Sequence, residues 1–199
     1  GPEGTTIEVR DLFQNVPVRR KFLRSVQVEF DHITDMFRRF TIAHPSVRFE
    51  LHHDGESKVN LPTGDVAARI GKFFGPELRE SLCEVRHDGG PISFSAWLTP
   101  ARFARTNAKS IHVFLNGRFI RDRVISHAIQ EAYRELLPHG RYPIVFLFLD
   151  AEPGEVDVNV HPTKIEVRFQ RVWKVHDLLV DQLRRALMKS ELDPELSAQ

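Results

Sequence analysis

The sequence predicts an α+β fold built on mixed or antiparallel sheets. Strand-like and helix-like segments follow one another in no regular β-α-β order. Hairpin signals recur, at Asp54-Gly55, Asp88-Gly89-Gly90 and Asn116-Gly117. A break at Pro62-Thr63-Gly64 splits the chain into two units, which 199 residues can accommodate.

The elements follow in order. Ile7 and Val9 alternate with Glu8 and Arg10, the pattern of a half-buried strand. Asn15 and Pro17 end it, and a basic segment follows from Pro17 to Arg24. Phe30, Ile33, Phe37 and Phe40 share one helix face. His44-Pro45 closes that helix. Residues 47–51 and 58–61 form a hairpin around Asp54-Gly55. Thr63 or Asp65 caps a helix carrying Val66, Ile70, Phe73 and Phe74. Gly75-Pro76 breaks it, and Leu78 and Leu82 continue a second piece.

Residues 83–86 and 92–98 read as a second hairpin, and 100–110 as a loop holding Arg102, Arg105 and Lys109. A strand over 111–115 turns at Asn116-Gly117, because both central residues of a type I′ turn need positive φ. A helix follows with Val124, Ile125, Ala128, Ile129, Ala132, Tyr133, Leu136 and Leu137 on one face, stopped by Pro138-His139-Gly140. Ile144 to Leu149 is uniformly apolar, which predicts a central strand buried on both faces. Val156, Val158 and Val160, then Ile165, Val167 and Phe169, alternate with polar residues around Pro162. The last helix carries Val175, Leu178, Leu179, Leu183, Ala186 and Leu187, and the tail from Ser190 is polar.

Composition narrows the function classes. Lys plus Arg is 28 and Asp plus Glu is 27, so any anion binding comes from local patches rather than a uniform basic coat. One cysteine, Cys83, excludes a disulfide framework within the chain and any site of two thiolates. No apolar run is long enough for a membrane helix, and no signal pattern opens the chain. A cytoplasmic setting is therefore expected. The opening Gly-Pro-Glu-Gly has no Met, which suggests an excised piece.

Neither G-x-x-x-x-G-K-[ST] nor G-x-G-x-x-G is present. His52-His53-Asp54 is read as a solvated turn rather than a metal site. Cys83 is read as a structural thiol rather than a nucleophile. The segment VDVNVHPTK, 156–164, puts Asp157, Asn159 and His161 on one strand face, with Lys164 just beyond Pro162. A rigid strand end carrying Asn, His and Lys suits a phosphate, although a wet edge-strand face explains the same spacing. Basic clusters occur at Arg19, Arg20, Lys21 and Arg24, at Arg38 and Arg39, at Arg118, Arg121 and Arg123, and in the 100–110 loop. With little aromatic interleaving, they favour sequence-independent contact to a nucleic-acid backbone, against the alternative of solvated or ion-paired faces.

Three segments, GTTIEVRDLFQNVPVRRKFL (4–23), VFLNGRFIRDRVISHAI (113–129) and VDVNVHPTKIEVRF (156–169), resemble the bacterial MutL family of DNA mismatch-repair ATPases. The resemblance implies a GHKL ATPase domain whose C-terminal part is residues 1–62. It implies a transducer domain at 63–190, with a ribosomal-protein-like fold and a left-handed β-α-β crossover, then a tail at 191–199. The first unit, short of sheet partners, is expected to be partly exposed, swapped or self-associated. Gly4, Thr5 and Thr6 would close on ATP, Lys164 would reach its γ-phosphate, and Asn159 would stand beside that lysine. Lys21, Arg39 and Arg123 would contact DNA, with Arg19, Arg20, Arg118 and Arg121 nearby. No metal ligand is assigned to these residues. Implied partners are DNA, a MutS-like mismatch sensor, a downstream endonuclease or helicase, and a second copy in an ATP-dependent dimer. Gln14, Val16 and Val18 depart from the Tyr, Thr and Ala often found in the family. The alternatives are a DNA- and protein-binding module with no nucleotide role, or the transducer of another GHKL protein such as a type II topoisomerase.

The family's general-base Glu, Mg²⁺-holding Asn and D-x-G-x-G segment lie upstream of the GTT motif and are not found in these residues. Phosphoryl transfer depends on positioning and metal neutralisation, and Lys164 supplies one charge. The purified 199-residue chain is expected to turn over no ATP and to bind it weakly if at all. A phosphate-release rate that vanishes in Lys164→Ala would contradict this.

Overall fold

The computed structural model describes residues 4–157 and 167–192, with side chains described to 190. The chain divides into two compact units, Gly1–Phe37 and Arg38–Gln199.

In the first unit the expected strand at Ile7 and Val9 does not form: residues 4–10 have no regular structure. Ile7 is 84% and Val9 71% exposed. A strand needs a neighbour to take its backbone groups, and none pairs with this segment among the described residues. Asp11 and Phe13 adopt positive φ, and turns from Asp11 and Phe13 lead into the one-turn helix α1, Pro17–Arg20. Pro17 sits where a missing N–H costs nothing. Helix α2, Val26–Ala43, starts earlier than the apolar spacing predicts and runs into the second unit. Ile33 and Phe40, expected on its buried face, are exposed, whereas Thr41 and Ile42 are buried.

The second unit opens with the hairpin β1, Phe49–His53, and β2, Glu56–Leu61, with a bulge between Leu51 and His52. Asp54 and Gly55 both have positive φ, as the turn requires. Helix α3, Val66–Phe74, is capped by Asp65, whose carboxylate accepts the Ala68 N–H at 2.6 Å. Helix α4, Pro76–Glu80, follows the Gly75 break.

A five-stranded mixed sheet forms the body of this unit. Its strands are β3 (Cys83–His87), β4 (Ile92–Leu98), β5 (Ile111–Leu115), β6 (Arg118–Ile120) and β7 (Val145–Ala151). Their order is β3-β4-β7-β5-β6. Only β5 and β7 run parallel; the other neighbours are antiparallel. Helix α5, Arg123–Ala132, lies in the crossover from β5 to β7. The apolar run at 144–149 is therefore the middle strand, as its composition predicts. Val145, Leu147 and Leu149 face a core shared with α5 and with α6, Val172–Leu192. Ile144 and Phe146 join the opposite core, with Trp97, Phe114, Ile70, Leu78 and Ile42. Each fully buried side chain of this size contributes about 1.5–3 kcal/mol. Two-residue strands β8, Val156–Asp157, and β9, Arg168–Phe169, pair antiparallel. No described helix is long and apolar enough to cross a membrane.

The face helix α5 is shorter than its pattern suggests. It ends at Ala132, and Tyr133–Leu137 form turns ahead of Pro138. The buried Tyr133 hydroxyl donates to Thr99 O at 2.9 Å, and the Thr99 hydroxyl donates to Ile144 O at 2.9 Å. Burial holds the Tyr133 phenol well above its ordinary pKa. Cys83 is half-buried, and burial pushes its thiol up, away from the reactive thiolate.

Arg69 of α3 ties the first hairpin to the body. It is 3% exposed. One guanidinium nitrogen donates to Pro45 O, Val47 O and Pro62 O at 2.8, 2.9 and 3.0 Å. Its guanidinium carbon also stands 5.7 Å from the Phe49 ring centroid. Burial lowers its pKa without approaching neutrality, because an arginine starts so high. The expected boundary at 62–64 thus lies at a junction bridged by one buried cation. Arg69→Met, which keeps the volume and removes the donors, is expected to cost about 2–4 kcal/mol in urea unfolding. A cost near zero would show that water replaces the guanidinium.

Candidate nucleic-acid interface

The hairpin β5–β6 sets the site. Asn116 and Gly117 adopt φ of +48° and +75°, the type I′ turn that their identities predict. The Asn116 side chain then clamps the end of β7: its Nδ2 donates to Ala151 O at 3.1 Å, and its Oδ1 accepts the Ala151 N–H at 3.0 Å. The return strand therefore leaves the sheet at a fixed point, and α5 begins three residues beyond it. Asp122 caps α5, accepting the Ile125 N–H at 2.9 Å, and its carbonyl accepts the Ser126 hydroxyl at 2.7 Å.

A cavity of about 740 Å³ opens at this point. Arg39, Lys109, Arg121 and Arg123 stand around it, over a floor that includes Ile111, Val113 and Phe119. Among the described residues the single lining acid is Asp122, whose carboxylate is engaged at the helix cap. Ser126 and Gln130 add neutral polar groups. Arg39 is oriented by an aromatic stack. Its guanidinium carbon lies 4.3 Å from the Phe119 ring centroid, Phe119 meets Phe114 edge-on, and Phe114 stacks on Phe148. Lys109 is held by a short 3₁₀ turn at Ala108–Ser110. Asn107 caps that turn by accepting the Lys109 N–H, and the Ser110 hydroxyl donates to Asn107 O and Pro143 O. Four cations converging on one recess can neutralise several phosphate oxygens at once.

Of the residues the sequence singles out, the structure brings Arg39, Arg121 and Arg123 together. Arg118 is exposed at the start of β6, outside the cavity lining. Arg19, Arg20 and Lys21 are exposed in the first unit, where the Arg19 guanidinium lies 5.9 Å from the Phe13 ring centroid. Gly4, Thr5 and Thr6 are exposed there too. Asn159 and Lys164, like His161, lie outside the described residues. Lys109 is the lining cation that residue-by-residue reading leaves among general loop charges. The acid-free run Arg102, Arg105, Lys109 was its signal, but the three diverge. Arg102 approaches Glu77 at 4.0 Å, and the Arg105 backbone pairs with Tyr142.

The described elements define the class: an α+β domain with a mixed sheet and a basic recess beside its crossover helix. The sequence model of the family described as DNA mismatch repair protein, C-terminal domain, matches residues 70–188, and the chain belongs to that family. It is 41% identical over 192 residues to the DNA mismatch repair protein MutL of Cellvibrio japonicus (strain Ueda107), covering 94% of this chain and 31% of that protein. It is 41% identical over 201 residues to MutL of Pseudomonas putida (strain GB-1), covering 99% of this chain and 32% of that protein. The chain thus spans about a third of the length of these relatives.

Two solved structures share the fold. One is described as the N-terminal domain of a DNA repair protein, with TM-score 0.72, 19% identity and coverage of 91% of this chain and 60% of that one. The other is the Aquifex aeolicus MutL ATPase domain complexed with ADP, with TM-score 0.58, 22% identity and coverage of 86% and 55%. Among the alternatives left open by sequence, mismatch repair is the family shown.

The cap and the charge of Asp122 are separable. Asp122→Ala is expected to destabilise the chain by about 1 kcal/mol, and Asp122→Asn by much less, since Asn caps as well as Asp. Equal losses in denaturant unfolding would mean that the carboxylate charge, not the cap, matters there.

Proposed function

We propose that this chain serves a MutL-like mismatch repair ATPase as the part that holds DNA and senses nucleotide. The observation that carries the DNA reading is the recess where Arg39, Lys109, Arg121 and Arg123 meet, with the lining Asp122 engaged at a helix cap. Such a recess seats backbone phosphates and reads no bases, so binding is sequence-independent and salt-sensitive. Arg118, and in the first unit Arg19, Arg20 and Lys21, are further DNA contacts in this reading.

The same reading divides the chain into 1–62, the C-terminal part of a GHKL ATPase domain, 63–190, the transducer, and 191–199, a tail. Gly4, Thr5 and Thr6 belong to the ATP-closing segment. Lys164 contacts the γ-phosphate with Asn159 beside it, a contact present with ATP and lost after hydrolysis, which shifts the two domains. ATP and Mg²⁺ act in the longer protein, where two copies dimerise and couple a MutS-like mismatch sensor to a downstream endonuclease or helicase.

A salt titration on nonspecific duplex tests the DNA surface. Arg123→Glu is expected to weaken binding and to flatten the log–log salt slope by about one unit for each lost phosphate contact. Asp122→Asn, which keeps the cap, is expected to tighten it. Unchanged affinity and slope in Arg123→Glu would remove this residue, and with it the recess, from the interface.

A further inference from the structure

The face of the second unit that carries α5 and α6 holds a pair of histidines that the DNA reading does not use. His127 of α5 and His176 of α6 are 49 residues apart in sequence, yet His127 Nδ1 and His176 Nε2 are 3.1 Å apart. The rings lie nearly parallel, 26° between planes, with centroids 5.3 Å apart. We propose that this pair is a binding site for a divalent first-row transition cation, of the zinc class, that bridges α5 and α6.

The distance fits the coordination. Zinc holds imidazole nitrogen at about 2.0–2.1 Å, so two such ligands stand about 3.3 Å apart on a tetrahedral ion and about 2.9 Å at a right angle. The observed separation falls between those limits. The two nitrogens need no separation or approach; the rings need only tilt so that both lone pairs meet at one point.

The protonation pattern fits as well. His176 Nδ1 faces Asp177 Oδ1 at 3.0 Å. A carboxylate at neutral pH only accepts, so His176 donates from Nδ1 and leaves Nε2 with a free lone pair. A carboxylate behind a histidine in this way fixes the tautomer and orients the ring toward the ligand position. In the metal-free pair, His127 Nδ1–H donates to that lone pair. Cation binding moves the His127 proton to its own Nε2 through solvent, since His127 is exposed. A neutral pair then takes up the ion with no net release of protons.

The surroundings supply room. A recess of about 430 Å³ opens beside the pair, lined also by Glu131, Asp177, Asp181, Arg184 and Arg185. Glu131 is paired with Arg134 and Arg184, and Asp181 with Arg185, so these charges balance and Asp177 is the carboxylate left to His176. Among the described residues no three His, Cys, Asp or Glu side chains converge as a complete ligand set. The site is accordingly open: two nitrogens from the protein, and water in the remaining positions. Imidazole ligation with water selects zinc, copper or nickel over magnesium or calcium.

The test is calorimetric titration of Zn²⁺ into the 199-residue chain purified without a histidine tag. The expected result is a single saturable site with a rise in Tm, lost in His127→Ala and in His176→Ala. Asp177→Asn is expected to weaken binding about 10- to 100-fold while both ligands stay. His127 is exposed and His176 partly buried, so far-UV circular dichroism of each variant checks folding. Cu²⁺ at one equivalent should show two-nitrogen coupling in its electron paramagnetic resonance spectrum. Absence of saturable Zn²⁺ binding overturns the proposal, as does binding that survives both alanine variants or disappears instead in His53→Ala.

Discussion

The burial of β7 on both faces is the constraint from which the rest of the second unit follows. Its alternate residues enter two separate cores, Val145, Leu147 and Leu149 on one side and Phe146 on the other. A strand with no wet face must have both neighbours paired and both surfaces covered. The structure meets this with β4 and β5 at the edges of β7, α5 and α6 over one face, and α3 and α4 over the other. The one parallel pairing, β5 with β7, then forces the chain to cross over between them, and α5 is that crossover. The site inherits its position from this. Asn116 clamps Ala151 at the end of β7, β6 returns from there, and Asp122 starts α5 at the rim of the basic recess.

Arg69 supplies the second organising interaction. Among the described residues no carboxylate pairs with this buried guanidinium, and carbonyl oxygens hold one of its nitrogens instead. Here Pro45, Val47 and Pro62 provide them from the segments flanking the β1–β2 hairpin. The proline- and glycine-rich break at 62–64 reads as a linker in sequence. In space it is pinned by a side chain seven residues downstream, and that linkage brings the hairpin into the second unit.

Charge is distributed by the same logic. A near-neutral total conceals local asymmetry: one recess along α5 concentrates cations, while another, lined by α5 and α6, sets Glu131 and Asp181 against Arg184 and Arg185 beside two histidines. The two recesses share α5 but no described lining residue, so polyanion contact and cation binding can occupy one small unit without competing.

Local pattern was enough for much of this. Uniform apolarity at 144–149 identified the central strand, because no half-exposed strand tolerates six consecutive apolar residues. Asn116-Gly117 and Asp54-Gly55 identified their turns, because few residues accept positive φ. The motif segments identified the family. Pattern failed where a partner decides the outcome. Ile7 and Val9 alternate like a strand, but alternation describes a face and not a neighbour, and no described segment pairs with them. Ile33 and Phe40 share a helix face, yet burial depends on what lies against that face. Lys109 looked no different from Arg102 and Arg105, and only the packing of the 108–110 turn separates it from them. His127 and His176 are unremarkable at a separation of 49 residues; the packing of α5 on α6 makes them neighbours. Residue identity settles backbone preference and hydrophobic period, which are local quantities. Convergence of distant side chains is set by how elements pack, and no local quantity contains it.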